Sequence, residues 1–132
     1  MIRQSVFLAI CLFLSSCLFF SECRAEDPPP PDPLSKITFN LEQVNQDGLW
    51  GPPDGLRALH YEFCIPGDAD HEAQVRQIDP TLQIFTESRG RIGCRSGESL
   101  CLGSTLQPDF KAVLIRLASL PYVKRIDQAF FE

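Results

Sequence analysis

The sequence has few of the residues, and none of the short motifs, on which most enzymes rely. Its 132 residues include two histidines, one tryptophan and one methionine. The G-x-S-x-G, P-loop and H-E-x-x-H signatures are missing, and there is no Cys-x-x-Cys pair. Two histidines do not by themselves supply a nucleophile, a base and an orienting group. The sequence therefore favours a protein without catalytic activity and gives a hydrolase no support.

Positive charge is also scarce. The chain carries 12 lysines and arginines against 17 acidic residues, a net charge of −5. Without Arg3, Arg24 and Glu22, which lie in a predicted leader, ten basic residues face sixteen acidic ones, a net charge of −6. A net acidic chain is a poor binder of polyanions by bulk electrostatics. Nucleic acid is therefore not an expected partner.

The first twenty-five residues have the pattern of a secretory signal peptide. Arg3 gives a basic start, residues 6–20 form an apolar run, and small residues precede a cleavage point after Ala25. The run is shorter than the about 20 apolar residues that a membrane-spanning helix needs. Residues 1–25 are therefore predicted to be a signal peptide, which directs the protein to the periplasm, the envelope or the medium.

Residues 1–25 have two other interpretations besides cleavage after Ala25. Residues 14–17 (LSSC) resemble the lipobox of bacterial lipoproteins, in which the cysteine is lipidated, although residues 18–20 continue the apolar run beyond Cys17. The third alternative is an uncleaved anchor. All three export the same domain, and contact with the membrane is expected only if Cys17 is lipidated.

Residues 26–34 are predicted to be a proline-rich linker, because five of the eleven prolines lie in residues 27–33 and favour an extended spacer. Residues 35–132 then form a single α+β domain with the order β-α-β-β-α-β, the ferredoxin-like arrangement. It places two helices on one face of a four-stranded antiparallel sheet, and residues 37–44 would add an N-terminal strand. The elements are strands at 59–65, 81–86, 100–103 and 123–131 and helices at 69–78 and 108–120, with 49–55 and 88–99 left irregular. Because this fold carries many activities, it says little about function.

Three strings resemble those of a group of small uncharacterised bacterial proteins, some of them cyanobacterial. They are residues 51–59 (GPPDGLRAL), 61–66 (YEFCIP) and 89–94 (RGRIGC). The resemblance covers most of residues 49–132. It implies a bacterial origin and brings no activity with it.

Three cysteines remain after cleavage at Ala25, an odd number for an exported chain. We expect one disulfide, between Cys94 and Cys101, because these two are close in sequence across a glycine-containing turn. Cys64 would then be a protected thiol. The alternative is a thiol or metal site in which the three cysteines meet at one sheet edge with His60 or His71 and bind zinc or copper. The Cys-x6-Cys spacing fits no standard zinc knuckle, so the main interpretation includes no cofactor.

The remaining candidate site is a loop rich in glycine and arginine. Arg89, Arg91 and Arg95 alternate there with glycines that let backbone N–H groups approach a ligand. These arginines form a candidate anion site, and the alternative is a solvated loop in an acidic domain. The sequence thus favours an exported, non-catalytic binding module whose partner is a protein or a small anionic ligand.

Trp50 is either a lid over the sheet edge or an interface anchor.

Overall fold

The computed structural model describes residues 27–131, so the predicted signal peptide and Cys17 lie outside the described residues. The fold is α+β. The strands are β1 (Leu49–Trp50), β2 (Arg57–Ala58), β3 (His60–Pro66), β4 (Gln83–Phe85), β5 (Glu98–Ser104) and β6 (Asp127–Ala129), and the helices are α1 (Ala69–Ile78) and α2 (Phe110–Ala118). No helix in this part of the chain is long and apolar enough to cross a membrane.

The main sheet has four antiparallel strands in the order β4-β5-β3-β6. Its centre is the pairing of β3 with β5, which runs over seven residues of each strand. From β3 onward the elements follow the predicted order β-α-β-β-α-β. The last strand is shorter than expected, because only Asp127–Ala129 pairs with β3.

The core lies between the helices and one face of this sheet. Tyr61, Phe63 and Ile65 alternate along β3, so they project to the same side. They belong to one buried cluster with side chains from both helices, including Val75 of α1 and Leu114 of α2. Asp68 is the N-cap of helix α1, and its side chain accepts a hydrogen bond from the His71 backbone N–H.

The predicted N-terminal strand at residues 37–44 is wrong. Two short 3₁₀ helices, Pro33–Lys36 and Leu41–Gln43, occupy this region, and only Ile37 forms an isolated parallel bridge, with Ile126. The cause is local, because the side chains of Asp32 and Asn40 accept hydrogen bonds from backbone N–H groups two residues on and stabilise turns. Ile37 is nevertheless buried in the core.

The segment expected to be an irregular loop at residues 49–55 begins with a short ladder. β1 pairs with β2 over two residues, so the prediction that no ladder forms here is wrong. Gly51 makes the turn between them possible with a φ of +117°. Trp50 is partly buried against the core, and the Arg57 guanidinium lies 5.6 Å from the centre of its ring.

The opposite face of the sheet is covered by residues 86–97, here called the cover loop. Glu62 alternates with the core residues of β3 and therefore points to this face, where its Oε1 accepts a hydrogen bond from Ile92 N–H at 2.7 Å. Leu100 is also buried on this side, outside the main core cluster. The cover loop thus buries a second, smaller layer that the helices do not reach.

Candidate functional site

A disulfide joins the centre of the sheet to the cover loop. Cys64 of β3 is bonded to Cys94, with a Cα–Cα distance of 5.5 Å, and Cys101 is free and buried. The expectation of one intramolecular disulfide is therefore confirmed. The predicted pairing of Cys94 with Cys101, with Cys64 as the protected thiol, is wrong.

Strand alternation explains why the other pair forms. Cys101 lies opposite Phe63 in the β3–β5 ladder and belongs to the core beneath the helices. Cys64 lies opposite Leu100, so it points to the face that carries the cover loop and Cys94. The three thiols therefore do not converge. The signal was present in the sequence, because Cys64 is out of phase with the apolar positions 61, 63 and 65.

Cys101 is a structural side chain. Burial raises the pKa of its thiol from 9.0 to about 12, with a further contribution from Glu72. The thiolate is the form that attacks substrates and binds metals. At neutral pH Cys101 is therefore a small apolar core residue.

The Cys₃His metal site is not formed. The His60 ring packs edge-on against Phe131, with 4.9 Å between ring centres. His71 is engaged elsewhere, because its Nδ1 lies 2.6 Å from Asp68 Oδ2 and its ring packs against Tyr122. Among the described residues, one group of three potential metal-ligating side chains has its ligand atoms within 4.8 Å of one another, and it consists of Cys64, Cys94 and Glu98.

A groove opens beside the disulfide, here called the disulfide groove, with a volume of about 190 Å³. The cover loop forms one wall, and the segment that enters β6 forms another. Its lining residues are Cys64, Ile92, Gly93, Arg95, Glu98, Tyr122, Lys124 and Arg125. Residues distant in sequence thus meet at one place.

The disulfide groove is locally basic, although the chain as a whole is acidic. Arg95, Lys124 and Arg125 contribute three positive charges, and Glu98 contributes the only negative charge among the lining residues. Arg125 is held in place by Asp127, whose carboxylate lies 2.9 Å from Nε, and Nη2 donates a hydrogen bond to the Ile92 carbonyl at 3.2 Å. A guanidinium has five N–H donors, so Arg125 keeps donors for an anion beside these two contacts.

Glu98 has a structural partner as well as a place in the groove. Its Oε2 accepts a hydrogen bond from Arg95 N–H at 2.7 Å, which closes the turn at the end of the cover loop. Gly97 lies in this turn with a φ of +84°. The turn therefore positions Arg95 and the carboxylate on the same side of the groove.

The three arginines predicted as an anion site do not share one site. Arg95 alone lines the disulfide groove. Arg89 donates from Nε to the Cys94 carbonyl at 3.3 Å and lines a neighbouring depression together with Arg95, while Arg91 is exposed on the cover loop. Lys124 and Arg125, which also line the groove, were not among the predicted site residues. Their signal is the basic doublet in the exposed connection between α2 and β6.

Comparison of the chain with protein-family models, with curated proteins and with solved structures returned no match. The geometry of the disulfide groove is therefore the basis for a proposed function.

Proposed function

We propose that the protein is an exported, non-catalytic binding module that holds the carboxylate or phosphate group of a ligand in the disulfide groove. The observation that carries this proposal is the convergence of Arg95, Lys124 and Arg125 on one groove of an acidic protein. Residues of one charge sign at the walls of a cleft concentrate ligands of the opposite sign. A long acidic partner would meet repulsion from the rest of the surface, which favours a small or short ligand.

The chemistry of the groove also limits the ligand. Arginine binds carboxylates and phosphates through two parallel N–H donors, and lysine adds a point charge. The Glu98 carboxylate lines the groove on the same side as Arg95 and accepts hydrogen bonds, so it favours a ligand that has a donor beside its anionic group. Binding without turnover is supported by the absence of a histidine from the described residues of the lining and by the engagement of Cys64 in a disulfide.

The export of this domain is part of the proposal. Its support is the signal-peptide pattern of residues 1–25 together with a disulfide, a bond that persists in oxidising compartments. We further propose that the fold is ferredoxin-like, which the sheet order β4-β5-β3-β6 supports, and that the origin is bacterial. Such a domain tolerates many kinds of site, so its role follows from the groove and not from the fold.

The test titrates the oxidised full chain with inorganic phosphate and, separately, with acetate, both at low ionic strength. Amide NMR spectra recorded at each step are the readout. We expect saturable shifts at the groove residues, which weaken when salt is added. The double substitution Arg95→Gln and Lys124→Gln should weaken binding at least tenfold. Lys111→Gln is the matched control, because this exposed lysine lies on α2 and lines no part of the groove.

Three results would reject the anion site. They are the absence of saturable shifts with both probes, unchanged affinity in the double variant, and an equal loss in Lys111→Gln. A difference between the phosphate and acetate affinities identifies which anionic group the groove prefers.

A further inference from the structure

We infer that reduction of the Cys64–Cys94 disulfide turns the same corner of the molecule into a site for a thiophilic divalent cation such as Zn²⁺. The ligands would be the two cysteine sulfurs and the Glu98 carboxylate. Their ligand atoms already lie within 4.8 Å of one another. Two thiolates with one carboxylate are a donor set that zinc accepts in proteins.

The distances suit tetrahedral coordination. With Zn–S bonds of about 2.3 Å and Zn–O bonds of about 2.1 Å, neighbouring ligand atoms are separated by roughly 3.6–3.8 Å. Cleavage of the S–S bond leaves the sulfurs free to separate to this distance, and Glu98 is already close. Each sulfur then moves by about an ångström, which rotation about the side-chain torsions of the two cysteines allows.

The backbone fixes two of the three ligands in advance. Glu98 is the first residue of β5 and pairs with Pro66, two positions beyond Cys64 on β3. Cys64 and Glu98 therefore lie on the same face of two paired strands. Cys94, in the cover loop, supplies the ligand that can adjust. A rigid pair with one adjustable ligand gives the ion a partly preformed site.

The charge of the surroundings fits this site. A divalent cation with two thiolates and one carboxylate has a net charge of −1. Arg95, Lys124 and Arg125 line the same groove, and they offset that charge.

The switch requires an external two-electron reductant, such as a dithiol, which supplies the electrons. The dithiol gives two electrons and two protons to the S–S bond and becomes a disulfide itself, and Cys64 and Cys94 become thiols. Zn²⁺ then displaces one proton from each thiol. The oxidised protein offers no thiolate at this place, so the redox state controls the binding of the metal. Cys101 takes no part, because it is buried on the other face of the sheet.

The experiment titrates Zn²⁺ alone into the predicted mature chain, residues 26–132, which lacks Cys11, Cys17 and Cys23. The titration is done once on the oxidised chain and once on the chain reduced with a phosphine, with native mass spectrometry and a chelator competition as readouts. We expect one zinc per reduced chain and none on the oxidised chain. Glu98→Gln should weaken binding at least tenfold. Glu87→Gln, which removes an exposed acid of the cover loop, and Cys101→Ala, which removes the third thiol, should leave the affinity within twofold.

Each contrary outcome is distinct. Equal binding by the oxidised chain, unchanged affinity in Glu98→Gln, or no zinc on the reduced chain overturns the inference. So does loss of the native amide NMR spectrum on reduction, because zinc would then meet an unfolded chain. The inference is independent of the anion proposal, since the phosphate and acetate titrations use the oxidised protein.

Discussion

A connected hydrogen-bond network lies at the end of α1 and is centred on the buried Asp79 side chain. The Asp79 carboxylate is fully buried and accepts hydrogen bonds from the Tyr61 hydroxyl, from Gln107 Nε2 and from both the backbone and the hydroxyl of Thr81. These donors compensate for its loss of hydration. The network joins β3 to the segments that follow α1 and precede α2. It is structural, because Tyr61 and Asp79 are both fully buried.

Two residues of the core make the stability of the fold sensitive to alkaline pH. Burial raises the pKa of Cys101 to about 12 and also raises that of Tyr61, where the neighbouring Asp79 contributes. As the pH rises above 9.0, the unfolded chain releases the thiol proton while the folded chain keeps it. The contribution of the buried Cys101 thiol to the free energy of unfolding is therefore fully present below pH 9 and is lost progressively above it. We expect the free energy of unfolding to fall from pH 9 upward.

The measurement is urea unfolding at a series of pH values from 7 to 11. Cys101→Ala should reduce the slope of stability against pH just above pH 9, because it removes the thiol that titrates there. The fall that remains nearer pH 10 and above belongs to the two tyrosines whose pKa is raised by burial, Tyr61 and Tyr122. An unchanged slope in the variant would contradict the assignment to Cys101.

At the scale of the elements, the helices were the easiest part to predict. Residues 69–78 were expected to form α1, and they do so, because Asp68 caps the start and Asp79-Pro80 ends it. The apolar stripe of α2 likewise has its buried side chains at the expected positions, among them Leu114 and Leu117. Both signals are local, and a single sequence contains them completely.

The N-terminal region shows where a local pattern misleads. Apolar and polar residues alternate from position 37, which predicts a strand, and Ile37 and Val44 are indeed buried. Competing side-chain hydrogen bonds from Asp32 and Asn40 fold the backbone into turns instead. Periodicity therefore predicted which residues are inside, while it did not predict the conformation that carries them.

The cover loop depends on a glycine at one point of close approach. Gly90 has a φ of +59°, and a Cβ added there would lie 2.7 Å from Glu62 Oε2 and 2.7 Å from a methyl carbon of Leu100. Gly93 also has a positive φ, of +82°, but a Cβ there would meet nothing within 4 Å. Both glycines adopt a left-handed backbone conformation, but only Gly90 also lacks room for a side chain.

We expect Gly90→Ala to destabilise the protein more than Gly93→Ala. Both substitutions incur the cost of a left-handed alanine, about 1–2 kcal/mol. Gly90→Ala adds the overpacking against the sheet, typically about 1–3 kcal/mol. Urea unfolding of both variants at neutral pH measures the difference, and equal losses would show that the loop does not press on the sheet at Gly90.

At the scale of the whole molecule, the site was only partly predictable. Arg95 was expected to contact an anion, whereas Lys124 and Arg125 join it from a segment about thirty residues later in the chain. No local pattern reports such a meeting, because it depends on how the chain between α2 and β6 passes the cover loop. The alternation along β3 shows that Cys64 lies on the face away from the core, but no local pattern shows that Cys94 is the cysteine that reaches this face.

Among the described residues, the disulfide is the one covalent cross-link, apart from the backbone itself, between the sheet and the cover loop, so its removal should affect the stability of the whole domain. Cys64 and Cys94 are separated by 30 residues. For a loop of that length, the chain-entropy model gives a stabilisation of about 3.5 kcal/mol through restriction of the unfolded chain. We expect the double variant Cys64→Ala, Cys94→Ala to lose about this amount and to show a steeper dependence on urea, because its unfolded chain exposes more surface. Cys101→Ala is the control, since it removes a buried thiol without changing the connectivity of the chain. Its urea dependence should match that of the wild type, and a matching slope in the double variant would argue that the disulfide does not constrain the unfolded state.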